Sequence, residues 1–136
     1  MSHLYRYTVR TSRKQEFVNI DNFIYEALDE SGVESGILVV YCPHTTAGIT
    51  INENADPDVT VDLELGLNKT FPNDRDYVHM EGNSDGHMKS SVVGASETLI
   101  IEDGHPLFGT WQSVYFAEFD GARNRTIYIK IITDQQ

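Results

Sequence analysis

Ile37-Leu38-Val39-Val40-Tyr41-Cys42 is an unbroken apolar run rich in β-branched residues, and Pro43 ends it. Such a run reads as a strand buried inside a sheet, and a buried strand obliges the chain to supply neighbours for both its edges. The rest of the sequence offers them. Residues 3–10 alternate around Tyr5, Tyr7 and Val9, residues 14–20 suit a short strand, and residues 47–53 alternate around Ile49 and Ile51. Residues 97–102, 111–119 and 124–133 read as three closing strands. The turn formers Asp120-Gly121-Ala122-Arg123 predict a hairpin between the last two.

Helices interrupt this pattern without a strict βαβ alternation. Asp21–Ser31 has a plausible N-cap in Asp21, Ile24 and Leu28 on one face, and Gly32 to close it. Residues 57–71 carry conflicting signals. Val59, Val61, Leu63, Leu65 and Leu67 recur at strand period, yet Asp56-Pro57-Asp58 is a helix start, and helix is the reading preferred. Residues 84–92 suit a short helix. The pattern predicts an α+β fold of seven strands with two or three helices.

The chain's 136 residues suit one domain, residues 1–136, without repeats or linkers. Ten basic residues against 21 acidic ones leave a formal charge of −11. That field repels nucleic acid and anionic membranes, so neither is an expected partner. With no signal-peptide pattern and no stretch of transmembrane length, a cytoplasmic location is expected. The single cysteine, Cys42, reads as a small hydrophobe of the buried strand.

Four of the five histidines lie away from the N-terminus: His44, His79, His87 and His105. His44 follows the buried strand, and His79 and His87 flank a polar loop. Three neutral imidazoles with a water make an open coordination set that polarises a carbonyl or phosphoryl oxygen. Their spacing fits no compact metal motif, and each could instead be an ordinary satisfied imidazole; His105, in a Gly-His-Pro turn, is read that way. Asn52, Glu53 and Asn54 crowd the end of a strand, where Glu53 could serve as a base and the amides could orient substrate, or where all could form a turn. Glu81 sits between His79 and His87 as a second candidate base. Lys89, Arg123 and Arg125 are candidate phosphate handles or plain surface ion pairs. Trp111 begins an aromatic strand, in which Tyr115 and Phe119 read as packing.

Several segments together resemble the YjbQ-like family: Pro43-His44-Thr45-Thr46-Ala47, Ile51 to Val59, His79-Met80-Glu81-Gly82-Asn83, Gly86-His87-Met88-Lys89-Ser90-Ser91, Gly109-Thr110-Trp111-Gln112 and Glu118 to Arg125. The resemblance runs from about Phe17 to Ile131. It implies seven strands in two sheets, a β-sandwich-like core with flanking helices, and a homotrimer. It implies thiamine-phosphate synthase activity, in a secondary role, joining a hydroxymethylpyrimidine diphosphate to a thiazole phosphate with release of pyrophosphate. It also implies that His44, His79 and His87 hold a divalent metal. Imidazoles favour zinc, whereas a diphosphate leaving group ordinarily uses magnesium. The expected function is thus a metal-dependent enzyme on a small phosphorylated heterocycle. Glu53 or Glu81 would move protons, Asn52, Asn54 and Asn83 would orient substrate, and Lys89, Arg123 and Arg125 would neutralise phosphate. The alternative is a non-catalytic metal- or metabolite-binding trimer. Ala122 departs from the family's usual proline in the Asp-Gly-Pro-Arg turn.

Overall fold

The computed structural model describes residues 3–134. Its elements are β1 (Leu4–Arg10), β2 (Glu16–Asn19), α1 (Asp21–Ser31), β3 (Gly36–Tyr41), β4 (Ala47–Glu53), α2 (Asp58–Thr70), α3 (Ser84–Val93), β5 (Ser96–Glu102), β6 (His105–Pro106), β7 (Gln112–Glu118) and β8 (Asn124–Thr133). The fold is α+β. Five strands run in the order β1-β8-β3-β5-β6, and three more in the order β2-β7-β4. Among the described residues no helix is long and apolar enough to cross a membrane.

Among the described residues the strands number eight, not the expected seven. The additional strand, β6, pairs Glu102 with His105 and Ile101 with Pro106. Two residues are too few to show any alternation. The signal was Asp103-Gly104, whose positive φ values of 52° and 75° suit the tight turn of a hairpin.

The expected β7–β8 hairpin does not form. β7 pairs with β2 and β4, whereas β8 pairs with β1 and β3. Residues 119–123 therefore carry the chain from one sheet to the other, and the Gly121–Ala122 peptide bond within them is cis. Glu118 ends β7 and Arg125 lies near the start of β8; both are buried, and they bond to one another across the crossing.

β3 also differs from its reading. Leu38 and Val40 are wholly buried, but Ile37 is 38 % and Tyr41 48 % exposed. The run packs on one face only. On the open face, Ile37 neighbours Ile100 and Ile132 through the β3–β5 and β3–β8 ladders, and all three are exposed. The inner face joins β8 residues Ile127, Ile129 and Ile131, Ile49 and Phe116 of the smaller sheet, and α1 in one core.

α1 buries Ile24, Ala27 and Leu28, the spacing of one helical face, and Gly32 closes it with φ 66°. Ile20, not Asp21, occupies its N-cap, and Asp21 instead accepts the Val114 N–H at 2.8 Å, tying the helix to β7. α2 is helical as expected but buries none of its residues. Apolar residues two apart on a helix lie about 200° apart, so the alternation divides them between opposite faces, with Val59, Leu63 and Leu67 half-buried on one and Val61 and Leu65 exposed on the other. α3 lies close to the sheet crossing. A Cβ on Gly86 would stand 3.0 Å from the Phe119 carbonyl oxygen, so a larger residue there would push away the turn that carries His87.

Candidate active site

Three connections meet over a cavity of about 370 Å³. The β3–β4 link brings His44, Thr45 and Thr46. The segment leading into α3 brings His79, Glu81 and Asn83, and α3 itself brings His87. The sheet crossing brings Asp120, Arg123 and Arg125. Seven residues singled out from the sequence therefore converge: the three histidines, Glu81, Asn83, Arg123 and Arg125.

Arg125 is 4 % exposed. Its Nε donates to Glu118 at 2.8 Å and 3.1 Å, and its Nη2 donates to Glu118 Oε2 and, at 2.8 Å, to the Thr46 hydroxyl. Glu118 is wholly buried and also accepts from the Thr11 hydroxyl at 2.8 Å and from the Phe119 and Asp120 N–H groups, each at 3.1 Å. Burial by itself would raise the Glu118 carboxyl. The hydrogen bonds from Arg125, Thr11 and Asp120 outweigh it and hold the group below the ordinary carboxylate range. One edge of the guanidinium is thereby fixed, while Nη1 makes no hydrogen bond among the described residues and the side chain lines the cavity.

Arg123 is looser, its side chain 52 % exposed, and it donates to Asp120 at 3.1 Å. The same carboxylate oxygen accepts from Asn83 Nδ2 at 2.9 Å, which leaves Asn83 Oδ1 buried without a partner.

His44 has a definite hydrogen-bonding state. The Thr126 N–H donates to its Nε2 at 2.9 Å. Thr126 lies two residues before Tyr128, the last β8 residue in the β3–β8 ladder, where it faces Tyr41. The imidazole thus takes the place of the next carbonyl, just where Pro43 ends β3. A neutral imidazole has one lone-pair nitrogen, and here that nitrogen is occupied. Burial, with Arg125 and Arg123 nearby, pushes the His44 pKa below its ordinary value and favours the neutral ring. Nδ1 then carries the proton and acts as a donor.

This bears on the metal. His79 and His87 stand edge to face with ring centroids 5.2 Å apart. Two imidazoles on one tetrahedral ion at zinc–nitrogen distances have centroids about 5 Å apart, so the pair suits a shared ion. His44 lines the same cavity, with its Nε2 accepting the Thr126 N–H. Among the described residues no three His, Cys, Asp or Glu side chains form a metal-holding group. Of the expected three-histidine set, His79 and His87 stand together, and His44, Glu81 and the Asn83 oxygen lie in the same cavity.

Four other residues singled out from the sequence lie outside this cavity. Lys89 does not line this cavity. It follows His87 by two positions on α3, about 200° around the axis, and so faces away. Asn52 and Glu53 close the far end of β4 and Asn54 follows it, Glu53 being roughly 20 Å from Ala47 along the strand. There Asn52 accepts the Glu53 N–H, and the Tyr115 hydroxyl donates to the Glu53 carbonyl and Asn54 Oδ1. Thr46, Glu118, Asp120 and Thr126 were not singled out for the site. Glu118 left a signal: a carboxylate embedded in Tyr115-Phe116-Ala117-Glu118-Phe119 needs an internal partner. Cys42 is buried and its thiol is pushed up by that burial, as befits a packing residue.

Comparison with known proteins gives a consistent picture. The family described as "UPF0047 protein YjbQ-like" matches residues 5–134. UPF0047 protein MJ1081 of Methanocaldococcus jannaschii is 54% identical over 132 residues, spanning 97% of this chain and 96% of its own. UPF0047 protein YugU of Bacillus subtilis is 50% identical over 125 residues, spanning 91% and 95%. Among solved structures, an uncharacterized YjbQ/UPF0047 protein of Clostridium acetobutylicum is 55% identical, with TM-score 0.92 over 94% of this chain and 99% of its own. A YjbQ-like protein of unknown function from Sulfolobus solfataricus is 26% identical, with TM-score 0.93 over 98% and 99%.

Proposed function

The chain belongs to the YjbQ-like family, and from that premise we propose that the cavity between the β3–β4 link, α3 and the sheet crossing is the active site of a metal-dependent enzyme acting on a small phosphorylated heterocycle. Thiamine-phosphate synthase activity belongs to that class, here as a secondary reaction. The carrying observation is Arg125: a nearly buried guanidinium braced by Glu118 and Thr46 on one edge and open on the other to a cavity shared with His79 and His87. A fork held in this way suits one anionic oxygen group.

The roles follow from what each group still has free. Arg125, assisted by Arg123, neutralises the phosphate. His44 offers its Nδ1–H to an oxygen of the same group. His79 and His87 hold a divalent ion, zinc by the chemistry of two imidazoles, with magnesium accompanying a diphosphate substrate. The ion supplies polarisation of a phosphoryl or carbonyl oxygen. Glu81 is the remaining carboxylate in the cavity able to move a proton, since Asp120 is tied to Arg123 and Asn83. Asn83 orients a donor group of the substrate through Oδ1. We include a homotrimer in this reading, because the exposed Ile37, Ile100 and Ile132 give the five-stranded sheet an apolar outer face for further copies to cover.

The test is elemental analysis of protein purified without an affinity tag, then turnover with each metal restored. His79→Ala should lower bound zinc by more than about tenfold, and His44→Ala by less than about twofold. Full occupancy in His79→Ala would sink the metal site. Metal-bound protein that binds phosphorylated heterocycles without converting them would establish the non-catalytic trimer instead. Light scattering should return three times 15.4 kDa.

A further inference from the structure

A second cavity, of about 690 Å³, opens between the β1–β2 loop, α2 and the first turns of α3. Two ionised side chains form its floor: Lys89 is 2 % exposed and Asp85 3 %. The Lys89 ammonium donates to Gln15 Oε1 at 2.6 Å and to Asn68 Oδ1, and it stands 3.9 Å from Asp85 Oδ2. That carboxylate oxygen accepts from Lys14 at 3.2 Å. The other, Asp85 Oδ1, is buried with no partner at all. A carboxylate oxygen withdrawn from water and left without a donor is destabilising, and Asp85 lines the cavity, so a donor from outside the chain would relieve that cost.

The mouth of the cavity has the opposite character. Arg13 and Lys14 are about half exposed, and one Arg13 nitrogen pairs with Glu64 at 2.9 Å. Arg13, Lys14 and Lys89 face Glu64 and Asp85, a local excess of one positive charge in a chain of formal charge −11. The open hydrogen-bonding capacity is therefore cationic donors at the mouth and a single acceptor at the floor. A small ligand complements this if it carries an anionic end and, a few bonds away, a hydroxyl. A polyphosphate does not, because Glu64 and Asp85 repel its additional charge.

We propose that this cavity binds a small hydroxylated anion, either a hydroxy acid or a sugar phosphate, with the anionic group on Arg13 and Lys14 and a hydroxyl donated to Asp85 Oδ1. The hydroxyl can at the same time accept from Lys89, whose third N–H has no hydrogen-bond partner. The site is separate from the histidine cavity, sharing none of its lining residues.

The experiment is an NMR titration that follows the side-chain amides of Gln15 and Asn68. Two matched pairs serve as probes: glycerol 3-phosphate against n-propyl phosphate, and glycerate against propionate. The hydroxylated member of at least one pair should shift both amides saturably and bind about tenfold or more tightly than its partner, and which pair responds identifies phosphate or carboxylate as the anion. Arg13→Ala with Lys14→Ala, both at exposed positions, should weaken that ligand by about tenfold or more, whereas Arg123→Ala should leave it unchanged. Equal binding within both pairs, an unaffected double variant, or no saturable shift would overturn the proposal and leave water on Asp85. Loss of metal-dependent turnover in the first cavity would not alter these shifts, so the two assignments fail separately.

Discussion

Arg125 and Lys89 are both buried cations in a chain with ten basic residues, yet they do opposite things. Arg125 presents a flat fork. One edge is committed to Glu118 and Thr46 across the sheet crossing, and the other reaches the histidine cavity. Lys89 presents a compact ammonium whose hydrogens turn toward neighbouring carbonyls on the β1–β2 loop and α2. It therefore anchors α2, a helix that buries none of its own residues. A guanidinium can be braced and available together because its donors lie in a plane with two edges; an ammonium that holds two neighbours keeps a single N–H for anything else. The comparison separates a cation braced across a sheet crossing at the edge of one cavity from a cation whose bonds tie a helix to the fold at the floor of another.

The largest effect should come from removing the brace. Glu118→Ala leaves the Arg125 charge buried and unpaired, and chemical denaturation should show a loss of about 3–5 kcal/mol. A loss below about 1 kcal/mol would mean that Arg125 escapes to solvent and the brace is unimportant. The same carboxylate predicts acid sensitivity. The folded Glu118 pKa lies below its ordinary 4.5, so its contribution is complete above that value and is lost as pH falls through the lower folded one. The folded His44 pKa likewise lies below its ordinary 6.5, so its contribution is complete above 6.5 and declines below. Stability should thus fall in two stages on acidification, and Glu118→Gln should abolish only the more acidic one.

Lys89→Met sharpens the other half of the comparison. It keeps the apolar stem and removes the donor from Gln15 and Asn68, while Lys14 still partners Asp85. The expected loss is about 1–3 kcal/mol. It should be local: amide exchange should accelerate in α2 ahead of the sheets, whereas Glu118→Ala should loosen both sheets together. Uniform acceleration in Lys89→Met would erase the distinction between anchor and brace.

These differences set what the sequence could disclose. β8 was expected at residues 124–133 and spans Asn124–Thr133, and α1 was read over its observed span, because long periodic segments state their structure locally. The site residues that converge all come from polar connections at strand or helix ends, where function concentrates. What stayed hidden depends on three-dimensional direction. The turn formers at 120–123 announce a reversal but not that the chain changes sheets. Lys89 sits two residues from His87 in sequence and on another side of α3 in space. His44 could be singled out from the polar link it sits in, but the Thr126 N–H that occupies its Nε2 belongs to a strand 82 residues away.

Arg123 tests the comparison at its weakest point, because it lines the histidine cavity without Arg125's brace. Its pair with Asp120 has side chains 52% and 21% exposed, so solvent screens it and Arg123→Ala should cost at most about 1 kcal/mol of stability. Its effect on binding should be larger. A charge-assisted contact to phosphate contributes roughly 1.5–3 kcal/mol, about ten- to a hundredfold in affinity, and the exposed position places Arg123 near the lower end. Titration with a matched phosphorylated and dephosphorylated ligand pair separates the two roles open to it. If Arg123 is a phosphate handle, only the phosphorylated ligand weakens. If it merely steadies Asp120, and through it Asn83, both ligands weaken equally, because the Asn83 amide then loses its orientation whatever the ligand's charge. Equal loss would leave Arg125 as the cavity's cationic handle and would tie ligand binding to the brace alone.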